Sequence, residues 1–319
     1  MIKLSKMFLI FLTVRIISIN SASPSAVRTI LATYPISFDW DDVGNFFLMN
    51  LYIEKTNQMH LCIFSASNLS VQKCVVETPL YKFTMNNKSI TQEYGFIKSI
   101  DWRGNNIFYE ISVNDINGLI YHVKLRNWHL SKFKEIKSED YLLRGGKPTW
   151  DNNTASLYFT QSENNYSYPE IKSINERNLQ TITKNATDPI VFDCCIYYTK
   201  VNENNGFSEG VFRYNKENKT NEMLTQKFDR NLSMANNGTL CFVRFQEEGY
   251  SLYYSIVLFD VSRKIIRKEI MDVYTENSEL IDAKISTNGK YIGIIDIDYT
   301  KYDTGKETAQ HYRLRIIPL

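Results

Sequence analysis

The chain has 319 residues, 43% of them hydrophobic, with 21 Tyr, 18 Phe and a formal net charge of +2. That apolar content supplies a packed core and excludes a disordered chain. Setting aside Lys3, Lys6 and Arg15 at the start of the chain leaves a charge of about −1, which excludes an electrostatic footprint for nucleic acid. With 13 Gly and 7 Pro, the turns must draw on Asn and Asp, which tolerate the left-handed backbone of tight turns.

Residues 1–26 read as a secretory signal peptide. Lys3 and Lys6 form a basic start, Met7 to Val14 an apolar stretch, and Ser21-Ala22-Ser23 a small-residue cleavage zone. The stretch is too short to span a bilayer. The expectation is a cleaved leader, with a signal anchor as the rival reading, and a single secreted, extracellular, monomeric domain over 27–319 with no membrane span.

Val27 to Leu31 is a short apolar strand ahead of the first full unit. Six units then follow in order. Ile36 to Trp40 leads through a polar turn to Asn45–Leu48 and then His60–Phe64. Ile97 to Trp102 leads to Asn106–Tyr109 and Leu119–Val123. Lys147 to Asp151 leads to Ser156–Phe159 and Glu170–Ile174. Pro189 to Asp193 leads to Cys195–Tyr198 and Val211–Tyr214. Asn231 to Ala235 leads to Thr239–Phe242 and Tyr253–Val257. Asp282 to Ser286 leads to Lys290–Gly293 and Tyr312–Ile316. Turns such as Asn236-Asn237-Gly238 and Asn288-Gly289 between apolar runs are strong hairpin signals. A period of roughly 40 to 50 residues with about four strands per unit is the pattern of a β-propeller. The fold class is therefore all-β, a six-bladed β-propeller. Val27 to Leu31 is expected to complete the last blade and close the ring. The fourth unit, where Asp193 runs straight into Cys194, is the most degenerate.

Five cysteines is an odd number for a secreted chain. Cys62 and Cys74 flank a hairpin between outer strands of the first blade and are the disulfide candidates, worth about 3 kcal/mol in the chain-entropy model. Cys194 and Cys195 are adjacent and, on a strand, point to opposite faces. One of them could reach Cys241, which would leave the other free, and the pairing of these three stays open. No Cys or His at ligand spacing accompanies them, so no metal is assigned. Eight sequons agree with secretion, at Asn68, Asn87, Asn152, Asn165, Asn185, Asn218, Asn231 and Asn237, of which some are expected to carry glycan.

Chemistry is sparse. Asp39, Asp101, Asp151 and Asp193 recur near the ends of first strands and could form an acidic ring for a cation. The stronger reading is that each bonds a nearby backbone turn. His60, His122, His129 and His311 have no nucleophile elbow beside them. Arg144-Gly145-Gly146-Lys147 is too short for a phosphate loop and reads as a rim turn. No catalytic residue and no cofactor are assigned. What remains is binding. Trp40, Trp102 and Trp150 hold matching positions in the first three units, and near a channel mouth they would offer flat apolar area to a planar ligand. Packing between blades is the alternative role for the same rings. Trp128, in a polar run, is a separate candidate for a partner surface.

Three families share features with these residues. Ser99-Ile100-Asp101-Trp102-Arg103-Gly104-Asn105-Asn106-Ile107-Phe108-Tyr109 resembles the repeat of the low-density-lipoprotein-receptor class B propellers, and Leu157-Tyr158-Phe159-Thr160 and Ile196-Tyr197-Tyr198-Thr199 are similar to its Tyr-Trp-Thr-Asp strand, with Gln161 and Lys200 in place of the Asp. Tyr34 to Trp40 followed by Asn45-Phe46-Phe47 resembles the opening blade of the insect ommochrome-binding-protein-like secreted group. Ile285 to Ile292 is similar to the turn of TolB-type propellers. All three resemblances imply the six-bladed ring. The second implies a non-enzymatic carrier of a small planar molecule at the channel mouth. The first implies an extracellular protein-interaction module using one rim. Six-bladed rings also host calcium-dependent hydrolases, which is the third expectation. The expected partner is accordingly a small molecule or an extracellular protein.

Overall fold

The computed structural model describes residues 16–17 and then 27–319, apart from short stretches of which the longest are 163–167, 273–277 and 301–308. The leader, save Ile16–Ile17, lies outside the described residues, as do Asn87, Trp128, Asn165 and the side chains of His129 and His311. Six antiparallel blade sheets follow one another, five of four strands and the last of five, where Ile16–Ile17 adds beside Arg28–Ala32. Their first strands are Phe38–Trp40, Phe96–Arg103, Gly146–Asp151, Ala186–Phe192, Phe228–Met234 and Ser278–Ile285. The second strands are Phe46–Ile53, Asn106–Val113, Ser156–Gln161, Cys195–Val201, Thr239–Glu248 and Tyr291–Thr300, each on the aromatic segment expected for it. Between blades 1 and 2 the polar stretch near residues 81–94 forms a hairpin, Tyr81–Met85 with Lys88–Gln92.

Ring closure follows the expectation. Arg28–Ala32 supplies the outer strand of blade 6, with Arg28 opposite Ile316 and Ala32 opposite Tyr312. This covers an edge that would otherwise present unpaired backbone groups.

The core sits between blades because each sheet has two apolar faces. On a strand, alternate side chains point to opposite faces. Leu48 therefore packs towards blade 2, with Ile100 and Tyr109, while its neighbour Phe47 packs towards blade 6, with Ile295 and Leu314. The same alternation fills the other contacts: Phe108 with Leu157 between blades 2 and 3, Ile171 with Tyr198 between 3 and 4, Tyr197 with Phe242 between 4 and 5, and Cys241 with Ile292 between 5 and 6. No helix among the described residues is long and apolar enough to cross a membrane.

Cys62 and Cys74 are joined in a disulfide linking the third and fourth strands of blade 1. Of the pairings left open, a link to Cys241 is not made, and Cys194, Cys195 and Cys241 stand as free thiols. The reason is strand alternation in blade 5. Leu240 and Phe242 face Cys195 in blade 4, so Cys241 between them faces blade 6. Nor do Cys194 and Cys195 diverge: Cys194 belongs to the turn preceding the strand, and the two sulfurs lie 3.6 Å apart.

Candidate functional site

The six first strands surround a central channel, and their register aligns it in tiers. Trp40 pairs with Phe47, Trp102 with Ile107 and Trp150 with Leu157, so the three tryptophans are equivalent, as expected. One residue earlier stand Asp39, Asp101 and Thr149, matched in the later blades by Ile190, Ser233 and Lys284. Three residues before the tryptophan position come Ser37, Ser99, Lys147, Asp188, Asn231 and Asp282. Both tiers, Thr149 excepted, line a cavity of ≈ 90 Å³.

The aspartates hold the ring together. Asp39 Oδ2 accepts the backbone N–H of Trp102 in the next blade at 2.8 Å, and Asp101 Oδ2 accepts that of Trp150 at 2.8 Å. Asp188 Oδ2 accepts the N–H of Asn231 at 3.1 Å, and the Ser233 hydroxyl oxygen accepts that of Ile285 at 3.0 Å. The second oxygens of the three carboxylates meet cations: Lys284 Nζ lies 3.4 Å from Asp39, Arg103 Nε 3.3 Å from Asp101, and Lys147 pairs with Asp188. Charge-assisted bonds of this kind are the stronger class. Burial pushes the Asp101 carboxyl up to about 6; Arg103 opposes the rise and the carboxylate of Asp39 adds to it. Burial also raises Asp282, with Lys284 and Lys147 opposing.

The four-aspartate ring read from the sequence is therefore differently composed. Asp39 and Asp101 occupy one tier, but Asp151 lies two residues beyond the equivalent Thr149 and binds Lys216 Nζ at 2.7 Å. Asp193 sits in the blade 4 turn with φ +51°. Asp188 and Asp282 take the other channel places. Of the stretch Arg144 to Lys147, Arg144 lies outside the described residues, and Gly146 and Lys147 belong to the first strand of blade 3 rather than to a rim turn, with Lys147 reaching into the channel. A Cβ at Gly146 would lie 2.7 Å from the Glu110 carboxylate, which would have to move aside. The alternation of charged tiers with apolar ones could have revealed Lys147 and Asp188, had the bulge that shifts register in blade 4 been visible.

The three tryptophans are not brought together in one pocket. Trp40 is 2% exposed and packs between blades 6 and 1, its Nε1–H donating to the Lys284 carbonyl at 3.1 Å. Trp102 is 4% exposed between blades 1 and 2 and donates to the Gly104 carbonyl at 3.0 Å. Trp150 stacks on Phe108 at 5.0 Å between blades 2 and 3 and donates to Asn152 Oδ1 at 2.9 Å. Trp40 also meets the wall of the central cavity. Trp150, with Asp42, Arg103, Asp151 and Phe192, lines a vestibule of ≈ 220 Å³ at one mouth.

A second feature lies outside the channel. In an antiparallel blade, first-to-second and third-to-fourth turns emerge at one face of the ring, and second-to-third loops with the blade-to-blade connections at the other. On that second face Phe207, in blade 4's second-to-third loop, is 62% exposed, and Phe228, at the start of blade 5, is 46% exposed. Their rings meet edge to face, centroids 5.8 Å apart. Tyr168, in the equivalent loop of blade 3 and 42% exposed, donates its hydroxyl to the Glu203 carbonyl of the Phe207 loop. Ser208 Oγ donates to the Asp229 carbonyl at 2.8 Å, tying the same loop to blade 5. Asp229 is itself fixed by Arg244, whose Nε and Nη2 donate at 2.8 and 3.0 Å within the protein interior. Sequence reading missed this ridge because its residues stand alone among polar neighbours.

Asn68, Asn152, Asn218 and Asn237 all fall in turns of the opposite face. Asn68 Oδ1 accepts the Ser70 hydroxyl at 2.7 Å, and Asn218 Oδ1 accepts that of Thr220 at 2.5 Å. Asn185 donates its amide to the Glu203 carboxylate. Asn231 stands in the channel wall and donates its amide to the Ile281 carbonyl at 2.6 Å.

No protein-family model and no curated protein matches the sequence. Among solved structures, TolB from Acinetobacter baumannii is similar at a TM-score of 0.55 and 16% identity, over 87% of this chain and 64% of that one. This chain thus spans less than two thirds of that TolB chain's length. A nidogen/laminin complex chain is similar at 0.41 and 11% identity, over 67% of this chain and 90% of that one. An oligogalacturonate lyase in complex with manganese is similar at 0.49 and 8% identity, over 92% of this chain and 94% of that one. At these identities the likeness is one of fold, and the TolB match agrees with the six-bladed ring assembled above.

Proposed function

We propose that this chain is a secreted binding module that engages an extracellular protein through the face carrying Tyr168, Phe207 and Phe228. The observation that carries this reading is the exposed Phe207–Phe228 pair, held in place by loop-to-blade hydrogen bonds. Exposed aromatic clusters are where interface energy concentrates, and an ordered ridge loses little conformational freedom on binding. The channel supports the reading from the other side. Both oxygens of Asp39, Asp101 and Asp188 are already engaged with backbone amides and cations, so these groups serve the ring.

The test is capture from the medium of cells that express the protein, comparing wild type with the Phe207→Ser/Phe228→Ser double variant. The double variant should lose a partner that wild type retains, by at least tenfold, with its melting temperature little changed. A Val43→Ser variant, altered on the opposite face, should keep that partner. Equal capture by wild type and the double variant would refute the reading.

A small planar ligand is the second reading, favoured by the vestibule beside Trp150 and Phe192. A chromophore carried through purification, seen in the ultraviolet–visible spectrum and lost in Trp150→Ala, would place the ligand there instead.

A further inference from the structure

Subtracting the Cys62–Cys74 bridge leaves three thiols. Cys241 is enclosed between blades 5 and 6. Cys194 and Cys195 lie together in the first turn of blade 4, where Phe192 pairs with Cys195 across the two-residue turn Asp193–Cys194. Asp193 holds the left-handed backbone, φ +51°, that brings the chain round so sharply. The turn brings the two sulfurs to 3.6 Å, with Cys194 half-buried and Cys195 buried against the blade 4–5 core.

We propose that Cys194 and Cys195 are joined in a disulfide between adjacent residues, a second bridge that leaves Cys241 as the one free thiol. Bonding distance is about 2.05 Å, so the sulfurs need to approach by roughly 1.6 Å, within reach of side-chain rotation in a turn. The oxidant is another disulfide, of the class that must also form Cys62–Cys74. Cys194, the accessible thiol, loses its proton and attacks the external disulfide; that S–S bond breaks and one external thiolate leaves. Cys195 then loses its proton, attacks the Cys194 sulfur and expels the second thiolate. Two protein thiols are oxidised by two electrons, and one external disulfide is reduced to two thiols. Burial pushes the Cys195 thiol up to about 11, with the Cys194 thiol adding to the rise and Arg213 and Lys216 opposing it. The second step is therefore the slow one and quickens as pH rises.

Accessible bridges are the readily reduced ones, and Cys194 is half-buried whereas Cys62 is fully buried. The Cys194–Cys195 bond should open under mild reductant while the buried Cys62 keeps its partner. Because Phe192 and Asp193 line the vestibule, the bond also sets the shape of that mouth.

The test is thiol labelling of full-length protein secreted from a eukaryotic host, denatured without reductant, followed by peptide mapping. One labelled thiol per chain, Cys241, is expected, with the peptide carrying Cys194 and Cys195 lighter by two hydrogens. Mild reductant on the folded protein should then release two further thiols, both in that peptide. Cys194→Ser should show two labelled thiols, and the wild-type map decides alone if that variant is not secreted. Three labelled thiols in fresh wild type would overturn the proposal, as would Cys194 joined to glutathione or to a second chain.

Discussion

At the scale of single residues, the aspartates of the channel act as fasteners between blades, and Asp101 is the one whose titration can be followed. Its carboxyl titrates near 6 in the folded protein because burial disfavours the anion, against an ordinary value of 3.8. Between those two values the folded state holds a proton that the unfolded chain has released. Stability contributed by Asp101 is therefore full below about pH 4 and is lost as pH rises through about 6, by roughly 3 kcal/mol at most. Asp101→Asn keeps an oxygen to accept the Trp150 N–H and has nothing to titrate. Urea midpoints measured from pH 4 to 7 should show wild type falling relative to the variant across that window. Parallel curves would mean that Asp101 ionises as it does in the unfolded chain.

At the scale of strands and turns, closure rests on Arg28–Ala32, whose Ile30 is fully buried beside Leu314 and Ile316. Removing residues 27–32 strips the outer strand from blade 6 and bares the edge of Ala309–Pro318. The shortened protein should self-associate or aggregate, seen as loss of the monomer peak in size-exclusion chromatography; an unchanged monomer of unchanged melting temperature would contradict this. That closing strand was legible in the sequence as an apolar run, as were the second strands of all six blades as aromatic or apolar runs recurring at a near-regular spacing, four of them after Asn-Asn or Asn-Gly turns. The Cys62–Cys74 bridge was legible because a hairpin sets the two residues opposite each other. What was not legible depends on register. The blade 4 bulge between Thr187 and Ile190 moves Asp188 to the channel, and strand alternation around Cys241 turns that thiol from Cys195. Arg144 to Lys147 reads as a turn from its two glycines, whereas Gly146 and Lys147 belong to a strand.

At the scale of the whole molecule, the ring has two unlike faces. Asn68, Asn152, Asn218 and Asn237 lie in turns of one face, and Phe207 and Phe228 lie on the other. If the chain is glycosylated on secretion, sugars at those four positions leave the aromatic face open, whereas a sugar on Asn185, in the connection between blades 3 and 4, would stand on that face beside the Phe207 loop. Glycopeptide mapping should find those four asparagines occupied and Asn231 bare, because a glycan there would fill the channel wall that its amide completes. A glycan on Asn231 of correctly folded protein would show that the channel is built otherwise.

The closing strand also imposes an order on manufacture. Blades 1 to 5 are made of neighbouring hairpins and can assemble as each leaves the ribosome, but Arg28–Ala32, which pairs with Ile16–Ile17 along one edge, has no partner along the other until Ala309–Pro318 has emerged. At ordinary rates of synthesis that wait is on the order of half a minute. Through it the nascent chain displays an unsatisfied apolar strand, an attractive surface for chaperones, and any chain that stops short of residue 309 never hides it. The latch of the ring thereby doubles as a completeness check: only a chain that has been translated through blade 6 can bury its own first strand.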